Sequence, residues 1–397
     1  MKTLADRASY KLWRLEAGTL CEEAKRRTGL EDFGEPAVGP VLSVLTQSLE
    51  EEANLKPIGR LLMRIHLRGL LETRLRLVDV WKKREAETAG EKIERPVFIV
   101  GMPRSGSTFL HELLAQDPRH RAPRVWEVMF PLGEPGDETR RVRKAEFCLW
   151  WFRKLAPRAD EVYPMRAQTP HECVAIHSHT FLSEEFVSSA HVPGYEAMLR
   201  STNLRPAYEW QTRFLKHMQL SAPGRRWIVK SPDHVHGLEQ LFALFPDAHI
   251  IQTHRNPLEV LESSADLTRV LRALYARPGS RDEIRAREAR VLAEGTERFI
   301  KFRDEHPELS CRFIDVKYKD LAADPMAAVR EIYQRLECRL TEEAAARIAA
   351  LAAKRSRYPG RRASEEVKGT QVKHVTEAGK FESYCLRFGL PFGEAEF

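Results

Sequence analysis

Four times along this chain a short run of β-branched and aromatic residues ends in a loop that opens straight into a helix start. The first run is Val97–Val100, closed by Gly101 and followed by Phe109, Leu110, Leu113 and Leu114 on one helical face. The second is Trp227–Val229, where Ser231 is expected to cap and Pro232 to take the first helical position ahead of Val235, Leu238, Leu241, Phe242 and Phe245. The third, in "AHIIQTHRNPLEV", offers Asn256 as the cap and Pro257 as the first helical residue; the fourth, in "CRFIDVKYKD", precedes a helix expected to begin near Asp324 and Pro325. Proline is tolerated at the first helical position because its missing N–H would be unpaired there anyway. Parallel strands cannot be joined by tight turns and need crossover helices, so this alternation predicts an α/β fold: a P-loop-like parallel β-sheet flanked by helices. In such sheets ligands bind beyond the carboxyl ends of the strands.

Residues 1–92 read differently. Within "LLMRIHLRGLLETRLRLVDVW", Met63, Leu67, Leu70, Leu71, Leu75 and Val78 recur at mixed spacings of three and four, the stripe of an amphipathic helix. We expect an N-terminal helical cap over 1–92, an α/β core over 93–340, and a C-terminal helix with a basic tail over 341–397 packing on the core. The 397 residues, 43% of them hydrophobic, suffice for a full core. A net charge of +7 favours anionic ligands, although many charges sit at i,i+4 spacing, such as Glu283 with Arg287 and Glu297 with Lys301, and read as a solvated helix face. The six cysteines show no C-x-x-C pair, which points away from a zinc ribbon or disulfide framework. The absence of a long apolar run predicts no transmembrane segment, and the charge-broken amino terminus does not read as a secretory signal; a cytoplasmic protein is the expectation.

The stretch "GMPRSGST", Gly101 to Thr108, has two glycines five residues apart, in the order of a phosphate-binding loop. Glycines let successive N–H groups converge on an anion, and the following helix turns its positive end toward it. Ser107 stands where that pattern carries lysine, so magnesium-dependent triphosphate chemistry is disfavoured and no metal is expected to be required. Arg104 remains as the loop's cation, with Ser105, Ser107 and Thr108 as hydroxyl donors around Gly106.

These residues resemble the first signature of the sulfotransferase family, bacterial-type branch, which reads P-R-S-G-[ST]-T after a hydrophobic strand. The segment "RWIVKSPDHVHGLEQLFALFPDAHIIQTHRNPLEVLESS" is similar to that family's second signature, in which an arginine and a serine eight residues later hold the 3′-phosphate of 3′-phosphoadenosine 5′-phosphosulfate (PAPS). Arg255 and Ser263 have that spacing. Spacing alone does not choose between Ser263 and Ser264; the resemblance selects Ser263. It implies a PAPS-dependent sulfotransferase whose acceptor is a hydroxyl or amine of a small or lipid-like molecule.

Sulfuryl transfer passes through a loose in-line state, so the protein mainly positions reactants, neutralises developing charge and removes the acceptor's proton. The resemblance places an acidic residue shortly after the first helix and so suggests Glu127 as the base; His234, with an imidazole suited to proton transfer near neutrality, is its rival. Lys230 and Arg104 are candidates for stabilising the departing oxygen. His171, Glu172, His177 and His179, with aromatics such as Trp126, Trp150, Trp151 and Phe181, are candidates to line the acceptor pocket. Lys354, Arg355, Arg357, Arg361, Arg362 and Lys368 form a basic tail that could close over the donor. The alternative is a P-loop kinase-like phosphotransferase using a nucleoside triphosphate. Positive charge could also serve nucleic acid or membrane, but no aromatic–basic interleaving supports a nucleic-acid partner. A homo-oligomer is compatible with the sequence.

Overall fold

The computed structural model describes residues 12–356 and 375–391, apart from Pro135, Pro223 and Pro278. Its contacts divide the chain into two compact units. One joins Met1–Lys92, Pro123–Pro223 and Leu267–Ser280; the other joins Ile93–Ala122, Gly224–Asp266 and Arg281–Phe397. The basic tail from Arg357 to Lys368 lies outside the described residues.

The second unit holds a five-stranded parallel sheet: β1 (Val97–Gly101), β2 (His120–Arg121), β3 (Arg226–Lys230), β4 (His249–His254) and β5 (Phe313–Lys317), in the order β2-β3-β1-β4-β5. β1 sits at its centre, with Phe98 opposite Val229 on one side and Ile250 on the other. All five residues of β1 are buried, as expected of a strand covered on both faces. Side chains alternate across it. Val97 and Ile99 pack with Leu110, Leu113, Leu114, Ile251 and Ile314, while the Phe98 ring lies 5.5 Å from that of Phe245. Full burial of each such aliphatic side chain stabilises by about 1.5–3 kcal/mol.

Helix starts follow the local chemistry. Asn256 Oδ1 accepts from Leu258 N at 3.0 Å ahead of the helix Pro257–Tyr275. Asp324 Oδ1 accepts from Met326 N and Ala327 N ahead of Pro325–Arg335. After β3 the outcome differs. Ser231 stands at the cap position, but its hydroxyl donates to Asp233 Oδ2 at 3.2 Å and makes no bond to the helix backbone. The expected single helix is split into a 3₁₀ turn, Pro232–His236, and a helix, Leu238–Leu244, with Gly237 in extended φ between them. The charged helix Arg281–Glu305 is also less solvated than its sequence suggests. Arg285 is only 7% exposed and pairs with Glu262 and Glu377, satisfying the rule that a buried charge keeps a partner.

The helical unit is organised by the 27-residue helix Pro57–Lys83. Met63, Leu67, Leu70, Leu71, Leu75 and Val78 are all buried, and all but Val78 share one apolar cluster with Leu42, Leu45, Phe186 and Tyr195. From the same helix the fully buried Arg74 donates to the carbonyls of Phe33, Gly34, Pro36 and His179. Burial depresses its guanidinium to about 9. Replacing water by four carbonyls is what makes that burial tolerable. Among the described residues no helix is long and apolar enough to cross a membrane.

Candidate anion site at the carboxyl ends of the strands

β1 delivers the chain to Gly101, where a side chain would collide with β4: a Cβ there would lie 2.5 Å from Thr253 Oγ1 and 2.6 Å from Thr253 O. The loop then alternates in handedness. Arg104 has φ +66° and Gly106 φ +89°, while Ser105 between them keeps negative φ. Such alternation turns successive N–H groups toward one point, the geometry of an anion nest. A non-glycine residue in the left-handed region is uncommon and strained, and it persists only where its surroundings fix it. Here they do: the Arg104 carbonyl accepts from Arg255 Nη1 at 3.0 Å, and Arg104 Nε donates to Ser263 Oγ at 3.0 Å.

The helix Ser107–Leu114 begins directly after the nest, and among the described residues no side chain caps it. Its first N–H groups have no carbonyl one turn back to bond, and its dipole places partial positive charge at the same point. Ser107 is buried and Thr108 exposed at this end. Lys230, the last residue of β3, is only 2% exposed, and its Nζ donates to Thr108 Oγ1 at 3.1 Å. An ammonium from the neighbouring strand therefore reaches the start of the helix that the loop itself leaves without lysine.

Ser105 takes a different part from the hydroxyl donor expected. Its Oγ is fully buried, donates to Met102 O at 2.6 Å and lies 2.6 Å from Thr253 Oγ1, while its N–H is directed to Met102 O at 3.3 Å. It staples the loop to β4. Arg255 leaves the end of β4 with its Nε on Glu259 Oε2 at 2.9 Å and its guanidinium 4.3 Å from the centre of the Tyr318 ring. Tyr318 also limits the nest from the other side, since a Cβ on Gly106 would come within 2.7 Å of Tyr318 Cδ2. The structure thus gathers Arg104, Arg255 and Ser263 into one hydrogen-bonded group, with Gly106 tied to it through Tyr318. Ser264, one residue along, buries its hydroxyl instead.

Beneath these residues a second network fixes the ends of β4 and β5. His254 Nε2 and Asp315 Oδ1 are 2.9 Å apart, His254 Nδ1 and Tyr384 Oη 2.8 Å, and Arg303 grips both oxygens of Asp315 at 2.7 and 3.1 Å. Burial alone would raise the Asp315 carboxyl, yet hydrogen bonds from His254 and Arg303 bring it down to about 2. Burial lowers the His254 imidazole despite its carboxylate partner. Arg255 and Tyr318 leave the sheet next to this network.

The two base candidates occupy unlike places. His234 is fully buried, its ring edge-on to Phe98 at 5.2 Å. Glu127 belongs to the helical unit, in the first turn of Val125–Met129, where its Oε2 accepts from Arg124 N at 2.9 Å. Within the histidine cluster of that unit, His177 and His179 are buried while His171 and Glu172 are half-buried. His177 Nε2 meets Gln211 Oε1 at 2.7 Å, Tyr163 donates to Glu172 at 2.9 Å, and His179 stacks on Trp210 at 6.3 Å. Burial lowers both His177 and His179 to about 4. Among the described residues no group of three His, Cys, Asp or Glu could hold a metal ion. Of the aromatic candidates, Trp126 and Phe181 are buried, whereas Trp150 and Trp151 are exposed. Sequence reasoning missed Tyr318 and Thr253; the available signal was position, since both sit at or just past the end of a predicted strand.

The profile of the sulfotransferase family matches residues 96–342. Over 273 residues the chain is 28% identical to an omega-hydroxy-beta-dihydromenaquinone-9 sulfotransferase of Mycobacterium bovis, and equally to its counterpart in Mycobacterium tuberculosis. That match takes in 65% of this chain and 66% of the relative's length, just under two thirds. Among solved structures, sulfotransferase STF9 from Mycobacterium avium superposes with a TM-score of 0.83 at 25% identity, covering 96% of this chain and 98% of the other. Sulfotransferase STF1 from Mycobacterium tuberculosis H37Rv gives 0.74 at 29% identity, over 85% and 93%.

Proposed function

From the premise that this chain belongs to the sulfotransferase family, we propose that it moves a sulfuryl group from PAPS to a hydroxyl or amine of a small or lipid-like acceptor. The observation that carries the donor reading is the convergence of Arg104, Arg255 and Ser263 on a left-handed loop that opens an uncapped helix. A nucleotide with phosphate at its 3′ position and phosphosulfate at its 5′ position needs two anion sites within one ligand's reach, and β1 and β4 are neighbouring strands. In this reading the nest and helix start, with Arg104, Gly106, Ser107 and Thr108, receive the phosphosulfate. Ser105 holds the loop's shape, and Arg255 with Ser263 receives the 3′-phosphate. Arginine suits the second task because its planar fork offers paired donors to phosphate oxygens.

Lys230 supplies the chemistry of charge neutralisation. As the sulfuryl group moves in line to the acceptor, negative charge grows on the oxygen that keeps the electron pair. A fixed ammonium at the helix start stabilises that charge without reorganisation. The acceptor's proton goes to Glu127, the acidic residue that follows the first helix; His234, enclosed against Phe98, serves the core. A lipid-like acceptor is favoured by the relative whose name specifies a menaquinone-derived substrate. A cytoplasmic enzyme needing no metal completes the proposal.

The test is stabilisation by ligand. A molecule that binds only the folded state raises its stability in proportion to the logarithm of its saturation. 3′-Phosphoadenosine 5′-phosphate should raise the melting temperature, and ATP with magnesium should raise it less. Stabilisation by ATP with indifference to the bisphosphate would transfer the site to a kinase-like phosphotransferase.

A further inference from the structure

The helix Glu138–Leu155 buries Ala145 and Leu149 in an apolar cluster with Val125, Trp126 and Ala167. Its opposite face is apolar as well. Phe147, Trp150, Trp151 and Leu155 are 62%, 43%, 49% and 48% exposed, and their spacings of three, four and eight residues bring them to one side of the helix. The exposed Arg140, Arg143, Lys144 and Lys154 fall on that same side. The helix's acids do not: Glu138 falls on the opposite side, in phase with Ala145 and Leu149, and Glu146 on a flank, within 3.6 Å of Arg153. The aromatic rings support one another in the open, Trp150 against Trp151 at 4.9 Å and Phe147 against Trp151 at 6.5 Å, both edge-on.

We propose that this face is a docking surface for an anionic phospholipid bilayer. A cluster of exposed aromatics on a monomer marks an interaction site, and tryptophan beside lysine and arginine is the composition that settles at the headgroup level of a membrane. The sign of the charge selects the occupant. A second copy meeting this face about a two-fold axis would set the four cations against their own images, whereas anionic headgroups complement them. The attachment is peripheral: the apolar side chains enter the interface and the helix lies along it. Docking would carry the enzyme to a lipid acceptor, and in that respect alone it rests on the function proposed above.

The experiment is co-sedimentation of the full chain with phosphatidylglycerol–phosphatidylcholine vesicles and with phosphatidylcholine vesicles, no acceptor present, so that failure here leaves the sulfotransfer reading standing. Wild type should partition onto the anionic vesicles and be released by salt. Trp150→Ser with Trp151→Ser, and separately Lys144→Glu with Lys154→Glu, should each weaken partitioning by about tenfold or more. All are surface positions, so stabilisation by 3′-phosphoadenosine 5′-phosphate should be unchanged and verifies folding. Equal partitioning of wild type and variants, or none onto anionic vesicles, overturns the proposal. So does a wild-type dimer that the tryptophan variant dissociates without any vesicle binding, which would assign the face to a second copy.

Discussion

Replacing Gly106 by alanine tests whether the loop works as a nest. The residue sits at φ +89°, and a Cβ there would stand 2.7 Å from Tyr318 Cδ2. Two costs follow. Holding an L-residue in this left-handed conformation costs about 1–2 kcal/mol, and either Tyr318 must shift aside or the loop must rotate. Tyr318 cannot move alone, because the Arg255 guanidinium rests on its ring at 4.3 Å and Arg255 in turn holds the Arg104 carbonyl. If the loop rotates, one or two N–H groups lose their aim at the anion. Hydrogen bonds to charged groups contribute roughly 1.5–3 kcal/mol each, so losing one or two should lower affinity for 3′-phosphoadenosine 5′-phosphate about 10- to 10⁴-fold at a tenfold step per ~1.4 kcal/mol. Isothermal titration calorimetry reads this directly. Gly106→Ala with Tyr318→Ala relieves the collision but keeps the backbone strain, so the double variant should lose less than the sum of the two single losses. Wild-type affinity in Gly106→Ala would refute the nest.

Two further outcomes follow from the same chemistry. Glu127→Gln should lower turnover by roughly 10²- to 10⁴-fold while leaving bisphosphate affinity within error, measured by steady-state kinetics with labelled donor beside calorimetry. The protein should also lose stability as pH falls from about 6.5 to about 4, because His177 and His179 are held neutral by burial with values near 4 while the unfolded chain protonates them near 6.5. The unfolded state binds more protons in that window, so stability rises with pH by up to about 1.4 kcal/mol per pH unit for each histidine. Urea titrations across the window should show the slope, reduced in His177→Gln.

How far the sequence reveals this molecule depends on how local each cause is. Strands and helix starts were legible because Asn256 with Pro257 and Asp324 with Pro325 act within three residues of themselves. The loop was legible through Gly101 and Gly106, whose spacing reflects a backbone requirement. The split at Gly237 was not, since the apolar stripe continues across it and only the backbone breaks. Nor was the inward turn of the Ser105 hydroxyl, which depends on Thr253, 148 residues away. The contact between Gly106 and Tyr318 spans an even longer separation, so only its place just past a predicted strand, and no residue pattern, marks Tyr318 as part of the site. Ser263 and Ser264 differ by one helical step, and the phase that turns the first toward Arg104 and buries the second is set by packing. Likewise, the joining of Met1–Lys92 with Pro123–Pro223 in one unit arises from long-range burial that no periodicity records. The charges of Arg281–Glu305 read as solvated because Glu262 and Glu377, which accompany Arg285 into the interior, lie outside that helix.

The sharpest test of a single nucleotide gripped at both ends removes one partner from each side of the contact. Bisphosphate and adenosine 5′-phosphate would be titrated against wild type and Arg255→Ala. If Arg255 holds the 3′-phosphate, deleting either should weaken binding by about 1.5–3 kcal/mol, and deleting both should cost little more than deleting one. Losses that simply add, with Arg255→Ala still preferring the bisphosphate by the full wild-type margin, would contradict the account.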